Sequence, residues 1–170
     1  MIDQTRLAPI EPVWIRALLS VLSGVTLALA FPDASITVFA FFALTPLIIV
    51  AVRSPGWWSV TWSGWLALTV TWLINLPWVI TVMWEQGGLS LPVGIAIFVA
   101  MSAILGLYGS AFAVMIRALR LRENPLPWLL IPLCWLAVEY ARTHLLTGFA
   151  WNLLAITIID HPFVQLAQIG

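Results

Sequence analysis

The chain has 170 residues, of which 62% are apolar and 8% charged, with no net charge and a mean hydropathy of +1.05. A water-soluble domain of this length has no interior large enough to hide so much apolar surface, so a soluble fold is excluded. The basic residues are all arginine and form no basic run, which argues against a nucleic-acid partner, and a single cysteine excludes an internal disulfide.

The composition and its patterning predict an all-α, polytopic integral membrane bundle. Residues 1–13 precede the first apolar window and read as a cytoplasmic segment carrying Arg6. Apolar windows follow at about 14–31, 35–52, 57–76, 91–116 and 127–147. Each is near or above the roughly 20 residues that cross about 30 Å of hydrocarbon, which predicts five transmembrane helices between 14 and 147. Pro32, Pro55, Pro77, Pro92, Pro125 and Pro127 mark the ends of these windows, where a missing backbone N–H costs least. The first two windows, joined at Pro32-Asp33-Ala34, read as a helical hairpin. In the first, Arg6 and Arg16, an apolar core at 17–30 and Ala28-Leu29-Ala30 also fit a cleaved signal peptide. An uncleaved helix suits the alternation of the later spans better.

In the third window Trp58, Trp62, Trp65 and Trp72 share one helical face, read as a lipid-facing or packing stripe, with an acyl-chain groove as the lesser reading. The loop at 77–90 holds Trp78, Trp84, Glu85 and Gly87-Gly88, either a membrane-surface loop with a hinge or a connector. The fourth window carries Ser102, Gly106 and Ser110, a stripe of small residues that lets another helix approach closely. Trp14, Trp57, Trp58, Trp78, Trp84 and Trp128 fall near the window ends, as a membrane-interface belt does. Arg6, Arg16, Arg53, Arg117, Arg120 and Arg122 all fall on one side of the alternating spans, whereas the 32–34 turn and the 77–90 loop have no basic residue. This asymmetry places the N-terminus in the cytoplasm and residues 77–90 and 148–170 outside it.

The fifth window contains the only charged residues expected inside hydrocarbon, Glu139 and Arg142. Such residues cost roughly 2.5–3.5 kcal/mol each near a helix centre and mark function or a structural pair. Their three-residue spacing puts them on one helix face, where they are expected to pair, with Arg142 nearer the outer surface. Gly148 is the expected helix stop, and Phe149 and Trp151 beyond it read either as an aromatic belt or as a hydrophobic mouth where a lipid tail meets a site above the membrane. Cys134 lies about 10 Å into its helix at 1.5 Å per residue and reads as a packed, inert thiol. His144 and His161 are too few and too far apart for a metal site, and Asp160-His161-Pro162 reads as a turn. No cofactor, no metal and no complete catalytic set is expected from these residues.

The stretch from Pro132-Leu133-Cys134-Trp135 through Glu139-Tyr140-Ala141-Arg142 and Thr147-Gly148-Phe149-Ala150-Trp151 to Asp160-His161-Pro162 and Gln165-Leu166-Ala167-Gln168-Ile169-Gly170 resembles the bacterial apolipoprotein N-acyltransferase family. Leu29-Ala30-Phe31-Pro32 and the Trp72–Gly88 region look like that family's other membrane signatures, so the resemblance covers about residues 17–170. Ala150 departs from the proline the family carries between the two aromatics, which leaves the backbone of the mouth less rigid.

The resemblance implies an enzyme of the inner membrane that moves an acyl chain from a phospholipid donor to the α-amino group of a diacylglyceryl-cysteine at a lipoprotein's N-terminus. It implies that the chemistry belongs to an extracytoplasmic nitrilase-like domain with a Glu-Lys-Cys triad, following the membrane helices. The chain has no lysine and no position that matches the triad, so it is expected to be the N-terminal membrane portion, a fragment inactive on its own. The residues expected to form the substrate mouth or a structural pair are Glu139, Arg142, Gly148, Phe149, Trp151 and Trp78. Two other readings stand beside this one. One is a small transporter or channel subunit, in which Glu139 and Arg142 would line a polar path; the other is the noncatalytic membrane anchor of a polyprenyl-phosphate glycosyltransferase.

Overall fold

The computed structural model describes residues 10, 12–31, 34–119, 126–145 and 148–158. The described residues are helical throughout, without strands. The elements are α1 (Val13–Ala30), a 3-10 turn (Thr37–Phe41), α2 (Thr45–Arg53), α3 (Trp57–Asn75), α4 (Trp78–Thr81) running into a π-helical turn (Val82–Gln86), α5 (Leu91–Ala118), α6 (Pro127–His144) and a closing 3-10 turn (Leu154–Ile158). Residues Arg6, Arg120 and Arg122, the Pro32-Asp33 corner and everything from Asp160 onward lie outside the described residues.

Four of the five expected helices form nearly as the apolar windows predict, but the second does not. In place of one helix over 35–52 there is a 3-10 turn followed by the nine residues of α2. Pro46, in the first turn of α2, has no N–H, and the backbone at Phe42 leaves helical geometry at φ −137 and ψ 0. Irregular backbone at membrane depth survives only where the protein itself meets its polar groups. Here the Thr45 N–H donates to the Phe42 carbonyl at 2.9 Å and the Ser23 hydroxyl of α1 donates to the Ala43 carbonyl at 2.6 Å. By length and composition, α1 and α5 qualify as membrane spans singly, and α3 with the following helical stretch makes a third, bent by 56°. Leu76 and Pro77 form that bend. α6 is 18 residues long, but Glu139, Arg142 and His144 make its second half polar.

The core of the bundle is the pairing of α3 with α5, flanked by α1 on α3. Ser102, Gly106 and Ser110 are all buried, as a helix-packing stripe requires. Gly109, which the four-residue spacing passes over, is where the backbones of α3 and α5 come closest. A Cβ on Gly64 would collide with the Gly109 carbonyl, and a Cβ on Gly109 would collide with that of Gly64. The seam is also tied by side chains that donate to facing carbonyls: Ser110 Oγ to Thr61 at 2.9 Å, Trp65 Nε1 to Ala103 at 2.9 Å and, toward α1, Thr71 Oγ1 to Gly24 at 3.1 Å. The tryptophan stripe of α3 divides along its length. Trp58 is 73% exposed and Trp62 49%, whereas Trp72 is buried at 3%. Over 14 residues a helix of 3.6 residues per turn returns to within about 40° of the same face, so it is the Arg142 guanidinium and the Phe149 ring lying against Trp72 that cover it.

Candidate functional site

The end of α6 and the segment after it converge with the ends of α3 and α4. The helix stops at His144, earlier than expected, and Leu145 leaves it with extended backbone. Gly148 is therefore not the residue that ends the helix. It forms a turn beyond it, at φ +79, with its N–H donating to the Leu145 carbonyl at 2.9 Å. This left-handed conformation is open to glycine without penalty. The turn folds the chain back, so the Phe149 N–H donates to the Arg142 carbonyl at 2.8 Å.

Arg142 is 4% exposed and its guanidinium is spent on this returning segment. Nη1 donates to the carbonyls of Phe149, at 2.8 Å, and Trp151, and Nη2 donates to that of Asn152 at 3.3 Å. The same guanidinium lies over the Trp72 ring, 5.0 Å from its centroid, a cation–π contact in a desolvated setting. Glu139 holds the next part of the segment: its carboxylate accepts the Leu154 N–H at 2.7 Å. The two residues thus do not meet as a direct ion pair among the described residues. Three positions apart, each fastens a different stretch of the same downstream backbone. Asn152, the last of the Arg142 acceptors, has φ 50.

The aromatic residues complete the arrangement. Phe149 packs edge-on to Trp72 with centroids 5.6 Å apart and lies 6.1 Å from Trp151, which in turn lies 5.9 Å from Trp78. Arg142, Gly148, Phe149, Trp151 and Trp78 therefore come together, and Glu139 stands on the other flank of α6. Two apolar clefts of about 390 Å³ each border this helix. One runs between the 3-10 turn with α2 and α6, with Glu139, Trp135 and Leu154 in its wall. The other lies between α5 and α6, with Met101, Leu105 and Tyr108 of α5 and Arg142 and Phe149 in its wall.

Sequence reasoning missed Trp72 as the platform for Arg142 and missed Asn75 one turn further along α3. Both are buried, and Trp72 Nε1 and Asn75 Nδ2 have no hydrogen-bond partner among the described residues. The signal available was Asn75 itself, a carboxamide in an otherwise apolar span. Cys134 is buried, as a packed thiol is. His144 stacks on Tyr140 at 4.1 Å, and the described residues contain no cluster of three potential metal ligands. His161 lies outside the described residues.

Comparison with known proteins gives one consistent result. Residues 23–170 match the apolipoprotein N-acyltransferase N-terminal domain. The chain is 33% identical over 166 residues to the apolipoprotein N-acyltransferase of Geobacter metallireducens, an alignment covering 89% of this chain and 29% of that protein. It is 28% identical over 149 residues to that of Pasteurella multocida, covering 88% and 28%. It is 28% identical over 170 residues to that of Rhodopirellula baltica, covering 92% and 28%. The chain spans about three-tenths of the length of the curated relatives it matches.

Proposed function

The chain belongs to the apolipoprotein N-acyltransferase N-terminal domain family, and from that premise we propose that it is the membrane module of an enzyme that N-acylates lipoproteins. The whole protein, on this reading, sits in the bacterial inner membrane. It moves an acyl chain from a phospholipid to the α-amino group of a diacylglyceryl-cysteine. The module crosses the membrane five times from a cytoplasmic N-terminus. The 3-10 turn and α2 together make the second crossing and α6 the fifth, which leaves 148–170 on the extracytoplasmic side. Its role is to seat acyl chains and to hand them upward. The apolar clefts beside α6 offer carbon surfaces for the chains, and the Trp72, Phe149, Trp151 and Trp78 rings form a mouth at their upper end.

The observation that carries this reading is the ladder from Arg142 to the carbonyls of Phe149, Trp151 and Asn152. An intramembrane arginine that makes three bonds to the backbone of one exit segment fits a device for presenting that segment. It does not fit a residue lining a polar path, which would keep its donors for the solute. The test is Phe149→Ala with Trp151→Ala in the full protein that carries this chain, read by complementation of a strain depleted of the enzyme and by membrane abundance. Misplacing a reacting chain by about 1 Å costs on the order of a hundredfold in rate. A loss of that order at normal abundance is expected, and wild-type activity would sink the assignment of a mouth.

Orientation has its own test. In a Cys134→Ala background, Ser90→Cys and Thr157→Cys are expected to react with an impermeant maleimide in intact spheroplasts. Labelling only after lysis would reverse the topology.

A further inference from the structure

The two clefts beside α6 are alike in volume, about 390 Å³ each, and opposite in charge. Among the described residues, Glu139 is the one charged group in the wall of the cleft toward α2, and Arg142 the one charged group in the wall of the cleft toward α5. A single helix supplies both. Successive residues of an α-helix turn by about 100°, so positions three apart lie about 60° from each other and can open into neighbouring grooves.

The Glu139 side combines a hydrogen-bond acceptor with a long apolar wall. The carboxylate is half-buried and places one oxygen on the Leu154 N–H at 2.7 Å, whereas an ionised carboxylate has room for about four hydrogen bonds. The Arg142 guanidinium takes none of that room, because its donors reach the carbonyls of Phe149, Trp151 and Asn152. The Trp135 ring flanks the carboxylate. Glu139 lies about 8 Å below the end of α6 at His144, and from it the wall descends through Leu136 to Ile131, about 12 Å at 1.5 Å per residue, with no second charge. Phe41, Leu44 and Ile48 supply the opposite wall.

A carboxylate above an apolar wall matches an amphiphile whose acyl chain hangs from a cationic hydrogen-bond donor. Of the two substrates in the functional reading above, the acceptor has that form, since its diacylglyceryl-cysteine carries the charge as an α-ammonium. A phospholipid donor carries a phosphate, which this wall meets with a carboxylate and no cation. We propose, resting on that reading, that the cleft between α2 and α6 is the acceptor's site, with Glu139 holding the α-ammonium and an acyl chain along Leu136 and Ile131. The donor is left to the other flank, whose wall carries Arg142 and Tyr108. α6 is then a partition that keeps the two lipids apart below the segment it fastens. Glu139 is a positioning residue and takes no part in bond making.

The test uses the full protein that carries this chain, freed of phospholipid in a non-ionic detergent. The probe is a synthetic diacylglyceryl-cysteinyl peptide with a diazirine in one acyl chain, its α-amino group either free or acetylated. Retention is read by native mass spectrometry, and the photolabel is located by peptide mapping. Wild type is expected to keep the free amine about tenfold better than the acetylated form, the factor expected of one charge-assisted hydrogen bond. Glu139→Gln keeps an oxygen for the Leu154 N–H and loses the charge, so the preference should vanish at unchanged thermal stability, which loss of a merely structural carboxylate would not produce. Leu136→Trp, at an exposed position in the wall, narrows the cleft and should lower retention of both forms alike. The label should fall within residues 40–48 and 131–139. An unchanged preference in Glu139→Gln, wild-type retention by Leu136→Trp, label within residues 97–108 of α5, or displacement of the probe by equimolar phosphatidylethanolamine would each overturn the proposal. With N-acylation intact, those results would leave the functional reading standing; a protein that binds neither form would sink both.

Discussion

The α3–α5 seam and the α6 exit segment hold a membrane protein together in opposite ways. Along the seam, glycine faces glycine, the two backbones nearly touch, and hydroxyl and indole donors meet the facing carbonyls. No charge is involved. Around α6 the packing is thinner, clefts flank the helix, and the attachments are a guanidinium, a carboxylate and ring edges. Lipid tails are as apolar as leucine, so burial drives neither contact; close packing and hydrogen bonding must do so. A permanent joint uses the first, which leaves no space. A region flanked by clefts uses the second, because polar attachments hold backbone without filling the volume beside it.

The sharpest way to break the contrast is to widen the seam. Gly64→Leu forces a side chain into the Gly109 carbonyl and is expected to cost at least about 4 kcal/mol. Thermal unfolding in detergent should drop for the whole helical signal, and a variant that melts with wild type would show that the seam is not the anchor of the fold. Arg142→Gln comes next. It leaves three carbonyls without their cationic donor, an expected loss of about 2–3 kcal/mol. That loss should fall on the segment 148–158, measured as faster proteolysis there while helix content persists; a global melt instead would place α6 in the same class as the seam. The smallest effect is expected for Glu139→Gln. The amide oxygen still accepts the Leu154 N–H, so the change should stay near or below about 1 kcal/mol. If it matched Arg142→Gln, a direct dependence between the two charges would have to replace the two separate attachments.

The helices of this chain were legible where an apolar window coincided with uninterrupted geometry. α1, α3 and α5 begin and end within two residues of the expected limits, because hydropathy and proline punctuation report the same boundary. The window over 35–52 was equally apolar, yet hydropathy does not register the hydrogen bond that Pro46 withholds, and the helix breaks there. At the site, residue types were readable and partners were not. Glu139 and Arg142 stood out because charge in hydrocarbon is costly, and their spacing suggested each other. Their actual partners are backbone groups at Phe149, Trp151, Asn152 and Leu154, which carry no identity in a sequence and become neighbours only through the turn at Gly148. The small-residue stripe named the right face of α5 but not Gly109, since a four-residue count steps over a position three residues from Gly106.

The arginine ladder also sets an order of events during synthesis. The carbonyls that satisfy Arg142 lie seven to ten residues later in the chain. When α6 first leaves the ribosome, its guanidinium therefore has none of these backbone partners, and a charge is costly to bury until it is paired and hydrogen-bonded. Arg142 can be buried with all its carbonyl partners only after Asn152 has emerged and the Gly148 turn has closed. Docking of α6 is thereby tied to arrival of the segment it fastens, and a nascent chain interrupted between His144 and Asn152 would hold a guanidinium without its acceptors.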